Sequence, residues 1–476
     1  MKVFLIDPEG LNKGLNIGVG MLAACLKKAG YKVGVIDMNN NSSDVRTRLA
    51  AVAKDDLIGI SIKSFTISSA VQIAEMVGRK DLICGGPHMT IDGVNFLQEN
   101  PSFSLGVWGE GEETLPGLIR AIKNGGIESV KGVIHRQGSR IISSPLAEFN
   151  PDLDSLPDPD YSDFDSVNGK IIDYPLITSR GCPYGCIYCC VGSVSGKKMR
   201  FRSIERVVAE IERAKRDFCS ESFAILDDNF TFDVERAKEF CRLLMKDGVD
   251  MDWSCPNGLR ADRIDDELAA LMAESGCKHA SIGIESLDEG VFKDINKGES
   301  LAEIKKAVSC LREHGIRTNG FFLIGLPGDS LQRSLHSLKE ASITGLNSAH
   351  WNIFVPYPGT KAWEWVEKHG TLRRSWKSGG HFGPQVRPVF DTPGYSQTEM
   401  LRMYNRANIV SHNYSAFFNT CRPLVFSLAA IVRNILRYDL VHLCGHLVYV
   451  LRNLEGARRY LSGLTGSKTL SKPLGR

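Results

Sequence analysis

Short apolar runs alternate with helical stretches in two separate series along this 476-residue chain, and that alternation constrains the fold more than any single residue does. The first series sets Lys2–Ile6, Lys32–Ile36, Leu57–Ser61, Asp81–Cys84 and Leu105–Trp108 between helical stretches at Ile17–Ala29, Ser43–Ala53, Thr66–Gly78, Ile91–Gln98 and Glu112–Lys123. Strands apolar on both faces must be covered on both faces. Five βα units of this spacing predict an α/β fold with a doubly wound parallel sheet, flavodoxin-like or Rossmann-like. The second series starts near Pro175, with strands at Leu176–Ser179, Ser222–Leu226, Asp250–Ser254, His279–Gly283, Thr318–Ile324 and Ser348–Val355. Helical stretches such as Ile204–Arg216, Val234–Met245, Asp265–Glu274 and Leu301–His314 lie between them. Six such units predict a partial (β/α)6 barrel, with ligands at the C-terminal ends of its strands.

Between the series, Gly132–Ser143 reads as a hairpin about Gln137-Gly138. Pro145, Pro151, Pro157 and Pro159, mixed with Asp152, Asp154, Asp158 and Asp160, read as an extended linker. After about Ser396 strand signals stop, and helical stretches remain near Gln397–Ser411, Pro423–Arg437 and Leu440–Leu461. The chain thus divides into an α/β domain at 1–130, a hairpin and linker at 131–167, a barrel at 168–395 and a helical C-terminal region at 396–476. A net charge of only +3 excludes a whole-chain nucleic-acid coat, and no nucleic-acid partner is expected. Thirteen cysteines, no secretory core and no apolar run of roughly 18 residues predict a reducing, cytoplasmic setting. Metal or catalytic use of some of those cysteines follows.

Thr178-Ser179-Arg180-Gly181-Cys182-Pro183-Tyr184-Gly185-Cys186-Ile187-Tyr188-Cys189 directly follows the first strand of the second series. Its three thiols, spaced CxxxCxxC, are the ligand type that iron–sulfur clusters take. Gly181, Pro183 and Gly185 let so short a loop wrap tightly. Three ligands on a four-iron cluster leave one iron open, as catalytic metal sites keep a free position. A zinc knuckle needs a fourth Cys or His at ligand spacing. Cys190 is awkwardly adjacent to Cys189, and no His follows within twenty residues. Cys182, Cys186 and Cys189 are therefore assigned to a 4Fe-4S cluster and Cys190 is not.

This loop resembles that of the radical S-adenosylmethionine superfamily. Phe201-Arg202-Ser203, Asp227-Asp228-Asn229-Phe230, Gly283-Ile284-Glu285-Ser286 and Gly325-Leu326-Pro327-Gly328 resemble its later motifs in their usual order. The resemblance implies that the open iron chelates S-adenosyl-L-methionine. It places Asp227 and Asp228 at the methionine end of that molecule, Glu285 at the ribose, and Gly325 and Gly328 beside the adenine. Val355–Thr360 would shape the substrate side. Read without the family, the same residues are a helix cap, a solvated strand-end carboxylate and an ordinary strand-to-helix turn.

In the first domain Gly18-Val19-Gly20-Met21-Leu22-Ala23 fits GxGxxA, and Asp37 ends the next strand, the pattern of a dinucleotide site. A dinucleotide fingerprint follows its strand at once, whereas about ten residues separate Asp7 from Ile17. The long first loop, with Gly59-Ile60-Ser61, Gly85-Gly86-Pro87-His88 and Gly109-Glu110-Gly111-Glu112 at strand ends, resembles a cobalamin-binding domain instead. The likeness then extends to the cobalamin-binding class of radical enzymes over roughly residues 1–370, with Ser61, Gly85, Gly86 and Gly109 as cobalamin contacts. The first loop lacks the His of the usual DxHxxG, so no His–cobalt bond is expected from Asp7–Asn12, and His88 reads as a turn residue. Transfer-RNA methylthiotransferases need three cysteines in such a domain, and only Cys25 and Cys84 are present.

Together these features resemble a class B radical S-adenosylmethionine methyltransferase. That implies a small-molecule substrate, methylated at an unactivated carbon after a radical removes its hydrogen, and an external one-electron reductant such as flavodoxin or ferredoxin. Oxidative cyclisation or rearrangement with the same cofactors is the alternative reaction, and a non-catalytic cluster and cobalamin sensor the alternative class. Residues 396–476 hold 11 Lys/Arg against 3 Asp/Glu, a local charge of +8 on a remainder of −5. Apolar runs beside Arg422, Arg433, Arg437, Arg452, Arg458 and Arg459 suit either a helical cap on the barrel or an interfacial helix. The interfacial case implies peripheral contact with the inner membrane face and a lipid or isoprenoid substrate. His442 and His446 share one helix face and read as packing residues.

Overall fold

The computed structural model describes residues 1–10, 13–41, 43–378 and 386–411. Strands β1 (Lys2–Asp7), β2 (Lys32–Asp37), β3 (Leu57–Ser61), β4 (Leu82–Gly85) and β5 (Phe103–Val107) are parallel, in the order β2-β1-β3-β4-β5. Helices α1 (Ile17–Lys28), α2 (Val45–Ala50), α3 (Ile67–Val77), α4 (Pro87–Glu99) and α5 (Gly111–Asn124) follow them. Val19, Ala23, Leu26, Leu115 and Leu118 fill one face of the sheet; Ala70, Ile73, Phe96 and Leu97 fill the other. The order reverses at β1/β3, which opens a crevice at the carboxyl ends of those strands. The expected hairpin about Gln137-Gly138 forms from β6 (Val133–Gln137) and β7 (Arg140–Ser143), and it continues this sheet antiparallel to β5.

The Pro/Asp-rich stretch is a strap sewn to both neighbours. Tyr161 and Phe164 are buried, and Phe164 bridges Val35 alongside β2. Tyr161 packs edge-on to Tyr174 with ring centroids 5.5 Å apart. Asp158 takes Arg202, Arg206 and Arg213 on the barrel side, while Lys27 pairs with Asp160 and Arg48 with Asp165 on the first-domain side. Gly20 belongs to the same contact: a Cβ there would stand 2.7 Å from Tyr161 Cε1. The GxGxxA glycine is thus needed for the strap to approach, not for a pyrophosphate.

The second unit runs β8 (Asp173–Leu176), β9 (Ser179–Arg180), α6 (Val191–Val194), β10 (Arg200–Phe201), α7 (Ile204–Phe218), β11 (Ser222–Ile225), α8 (Val234–Lys246) and β12 (Asp252–Leu259). It continues with α9 (Asp266–Glu274), β13 (Cys277–Glu285), α10 (Glu289–Asp294), α11 (Leu301–Glu313), β14 (Arg317–Ile324), α12 (Leu331–Ile343), β15 (Ser348–Ile353) and α13 (Lys361–His369). Six parallel strands in the order β8-β11-β12-β13-β14-β15 make the expected partial barrel. Its helices form for ordinary reasons. Helix α7 buries Ile204, Val207, Val208, Ile211 and Ala214, the stripe of a 3.6-residue period. A Ser300/Glu303 capping box starts α11.

The first strand departs from expectation. It ends at Leu176, and Ser179–Arg180 turns off into a two-residue antiparallel ladder with Arg200–Phe201. Helix α14 (Gln397–Ser411) buries Met400, Met403 and Ala407 against the barrel, so the start of the C-terminal region is a structural cap. Pro423–Arg437, Leu440–Leu461, His442 and His446 lie outside the described residues. Among the described residues no helix is long and apolar enough to cross a membrane.

Candidate functional site

The cysteine loop leaves the barrel at the carboxyl end of β8, and its backbone is fixed from several sides. Gly181 has φ +95°, and a Cβ there would collide with the Lys198 carbonyl oxygen, so only glycine fits. Cys182 N–H donates to the Gly196 carbonyl at 3.0 Å. Ile187 donates to the Ile295 carbonyl at 3.1 Å and accepts from Ala362 N–H at 3.0 Å. The Arg260 guanidinium lies over the Tyr184 ring at 3.5 Å from its centroid, and Arg263 Nη2 donates to the Tyr184 hydroxyl at 2.8 Å. Burial pushes the Cys182 and Cys186 thiols up, against the Arg260 charge that favours their thiolates, and pushes Cys189 to about 12. Ligation to a cluster would therefore release these protons. Among the described residues no three His, Cys, Asp or Glu close on a single metal ion. Thiolates serving separate irons need not converge in that way.

The strand-end carboxylates divide their labour. Asp227 is buried and spends both oxygens within the protein: Thr178 N–H, Thr178 Oγ1 and Ser179 Oγ all donate to it at 2.6 Å. It fastens the end of β8 to the end of β11 and is not open to a cofactor, which corrects the pairwise expectation. Those bonds also pull Thr178 out of the β8 ladder, so the strand stops early. Asp228 is only half-buried, faces the interdomain cavity described below, and has its carboxyl pushed up by burial. Glu285 holds φ +67°, an unfavourable conformation for a residue with a Cβ, at the end of β13. Burial raises its carboxyl, opposed by Lys297 at 4.0 Å and by the Tyr188 hydroxyl. Gly325 and Gly328 have φ +87° and +79°, and a Cβ on Gly328 would stand 2.8 Å from Asp294 Oδ2. Asp329 ties this turn, accepting from Gly325 N–H at 2.9 Å and Ser334 Oγ at 2.8 Å.

A cavity of about 340 Å³ runs from the first sheet to the barrel mouth, within the ~300–1,000 Å³ of small-molecule sites. Its inner wall is apolar, from Leu5, Val19, Leu22, Ile60, Ile83 and Leu115. Asn16, Ser61, Gly85, Gly86, Thr90 and Gly109 line it too, and Ser179, Arg180, Ser195 and Asp228 border it from the barrel side. A Cβ on Gly86 would meet the Ile62 carbonyl oxygen at 2.7 Å. His88 is buried away from the cavity, between Phe96 and Trp376, and burial lowers its pKa to about 4.

Sequence reasoning missed what joins the two units here. Arg200 forks onto Glu110 at 2.8 and 2.9 Å, and Arg180 reaches Glu110 at 2.9 Å and Glu112 at 2.6 Å. Burial would raise the Glu110 carboxyl, yet the two guanidiniums hold it below its usual range. Arginine directly before the cysteine loop and glutamates in the Gly109–Glu112 turn were the visible signal, but not that they meet.

The donor sets fit the groups the sequence implies. Cys182, Cys186 and Cys189 sit on one tightly held loop at the barrel mouth, and the cleft has apolar depth with glycine-walled approach at its strand ends. An α/β domain with such a cleft, set on the mouth of a cysteine-looped partial barrel, defines a cobalamin-dependent radical S-adenosylmethionine enzyme. The chain matches the B12 binding domain over residues 10–119 and the radical SAM superfamily over residues 176–341, and it belongs to that superfamily as a cobalamin-binding member. It is 25% identical to an uncharacterised methyltransferase of Pyrococcus horikoshii over 86% of this chain and 92% of that one. It is 26% identical to an anaerobic magnesium-protoporphyrin IX monomethyl ester cyclase of Cereibacter sphaeroides, over 76% and 63%. Its fold is similar to the radical S-adenosylmethionine methyltransferase TsrM of Kitasatospora setae, solved with cobalamin and a [4Fe-4S] cluster. The TM-score is 0.70 at 16% identity, covering 98% of this chain and all of that one.

Proposed function

We propose that this enzyme transfers a methyl group to an unactivated carbon of a small-molecule substrate, in the cytoplasm and with an external flavodoxin or ferredoxin as electron donor. When bound, the cluster with S-adenosylmethionine supplies a carbon-centred radical and cobalamin supplies the methyl group. One observation carries the reading: Ser61, Gly85, Gly86 and Gly109 of the first sheet and Ser179, Arg180 and Asp228 of the barrel wall a single cavity. The chain's own work is to hold, orient and exclude water. Its apolar depth suits an aromatic nucleotide tail, and the half-buried Asp228 carboxylate is assigned to the S-adenosylmethionine ammonium. Glu285, poised in a strained conformation, is assigned to the ribose, and the Gly325–Gly328 turn to the adenine.

The reduced, cofactor-loaded protein with S-adenosylmethionine and candidate substrates tests this by its products. Methyl transfer yields S-adenosylhomocysteine together with 5′-deoxyadenosine. Deoxyadenosine alone favours radical cyclisation or rearrangement, the reading to which the cyclase similarity lends support. Neither product points to a sensor. A lipid or isoprenoid substrate, met at a membrane by the basic C-terminal region, is the finer form of the proposal.

A further inference from the structure

Directly after Asp228, the short turn Asn229–Phe232 packs against the cysteine loop, with the Phe232 ring edge-on to Tyr184 at 6.1 Å. Asn229 is 1% exposed, and neither its Oδ1 nor its Nδ2 has an aligned partner in the protein. Thr231, fully buried two residues on, also leaves its hydroxyl unpaired. Leaving a buried amide unsatisfied is costly, so such a group is rare unless something else completes it. Beside it lies Cys182, whose thiol burial pushes up and the Asn229 amide draws back toward the thiolate, although no aligned hydrogen bond joins the two. Asp227, by contrast, is fully satisfied within the protein, so the orphaned amide is particular to Asn229.

We infer that Asn229 donates from Nδ2 to the cluster-bound sulfur of Cys182 and thereby holds the cluster's reduction potential up. Hydrogen bonds to cluster sulfurs are among the protein's levers on potential, because a donor favours the more negatively charged, reduced state. Asn229 is neutral, so this contribution does not change with pH. Arg260 supplies a second, charged contribution near the same sulfur, and its stacking on Tyr184 fixes the loop on which that sulfur sits.

The inference rests on the cluster assignment, whose own failure is read separately as absence of iron and sulfide in the wild-type protein. The test is a potentiometric titration of the anaerobically reconstituted full chain, followed by electron paramagnetic resonance of the reduced cluster. Asn229→Leu, with the same branched shape and number of side-chain heavy atoms but no donor, should keep its iron and sulfide and move the midpoint potential to more negative values. Asn229→Asp, which puts a carboxylate beside the sulfur, should move it further in the same direction. Should Asn229→Leu fail to hold a cluster, Asn229→Ala, small enough for the site and without a donor, decides by the same titration. An unchanged midpoint in a fully loaded Leu or Ala variant overturns the inference. So does loss of the cluster in both, since that marks Asn229 as a residue the loop needs to fold.

Discussion

At Gly181 one added methyl group is enough to displace the cysteine loop. A positive φ costs an L-residue about 1–2 kcal/mol, and the Cβ must also push back the Lys198 carbonyl. Gly181→Ala is expected to lower the melting temperature and sharply reduce cluster content. Cys186→Ala should lose the cluster outright, while Cys190→Ala keeps about four irons and four sulfides per chain, as measured after anaerobic reconstitution. A full cluster in Cys186→Ala would refute the ligand set. At this scale the cysteines were legible because their spacing is local. The roles of Asp227 and Asp228 were not, because twin carboxylates at a strand end point to opposite sides. The donors that claim Asp227 lie 48 and 49 residues earlier in the chain.

Among the elements, the turn joining β14 to α12 carries a titration of its own. Burial raises the Asp329 carboxyl to about 6, although Gly325 N–H and the Ser334 hydroxyl favour its charged form. The folded protein therefore keeps a proton that the unfolded chain releases near the ordinary 3.8. Folded stability should fall as pH rises between those two values and level off above them. At about 1.4 kcal/mol per pKa unit the loss is at most roughly 3 kcal/mol. Urea unfolding of wild type against Asp329→Asn across that window should show the steeper fall in wild type, since other carboxyls raised by burial, such as Asp228 and Glu285, titrate in both; parallel curves would assign the turn's stability to other groups. The strands and helices on either side of this turn were legible from periodicity, since strands covered on both faces read as continuous apolar runs. The strap was not. Tyr161 and Phe164 look like stray aromatics in a polar spacer until the faces that bury them are assembled, and Asp158 looks solvated until three barrel arginines reach it.

Across the whole molecule, the Arg180/Arg200–Glu110/Glu112 cluster ties the cavity of one unit to the cysteine loop of the other. Removing one partner of such a buried pair costs roughly 3 kcal/mol or more, while removing both is far milder. Arg200→Met should therefore destabilise more than Arg200→Met combined with Glu110→Gln, and both should retain cobalamin less tightly if it occupies the cavity proposed for it, which Glu110 borders; additive effects would show that the pair is not coupled. The C-terminal region makes the last claim at this scale. Helix α14 is seated by Met400, Met403 and Ala407, so a chain ending at Ser411 keeps that cap. What it loses holds nine Lys/Arg against two Asp/Glu. Each such cation near an anionic leaflet contributes about 1 kcal/mol, and salt screens the attraction over a Debye length of about 8 Å at physiological ionic strength. Full-length protein should therefore sediment with anionic vesicles at low salt and release as salt rises, while the shortened chain stays free yet still binds cluster and cobalamin. Indifference of the full-length protein to anionic vesicles at low salt would remove the membrane, and with it the lipid form of the substrate. Insolubility of the shortened chain would instead mean that residues beyond Ser411 cover apolar surface of the barrel.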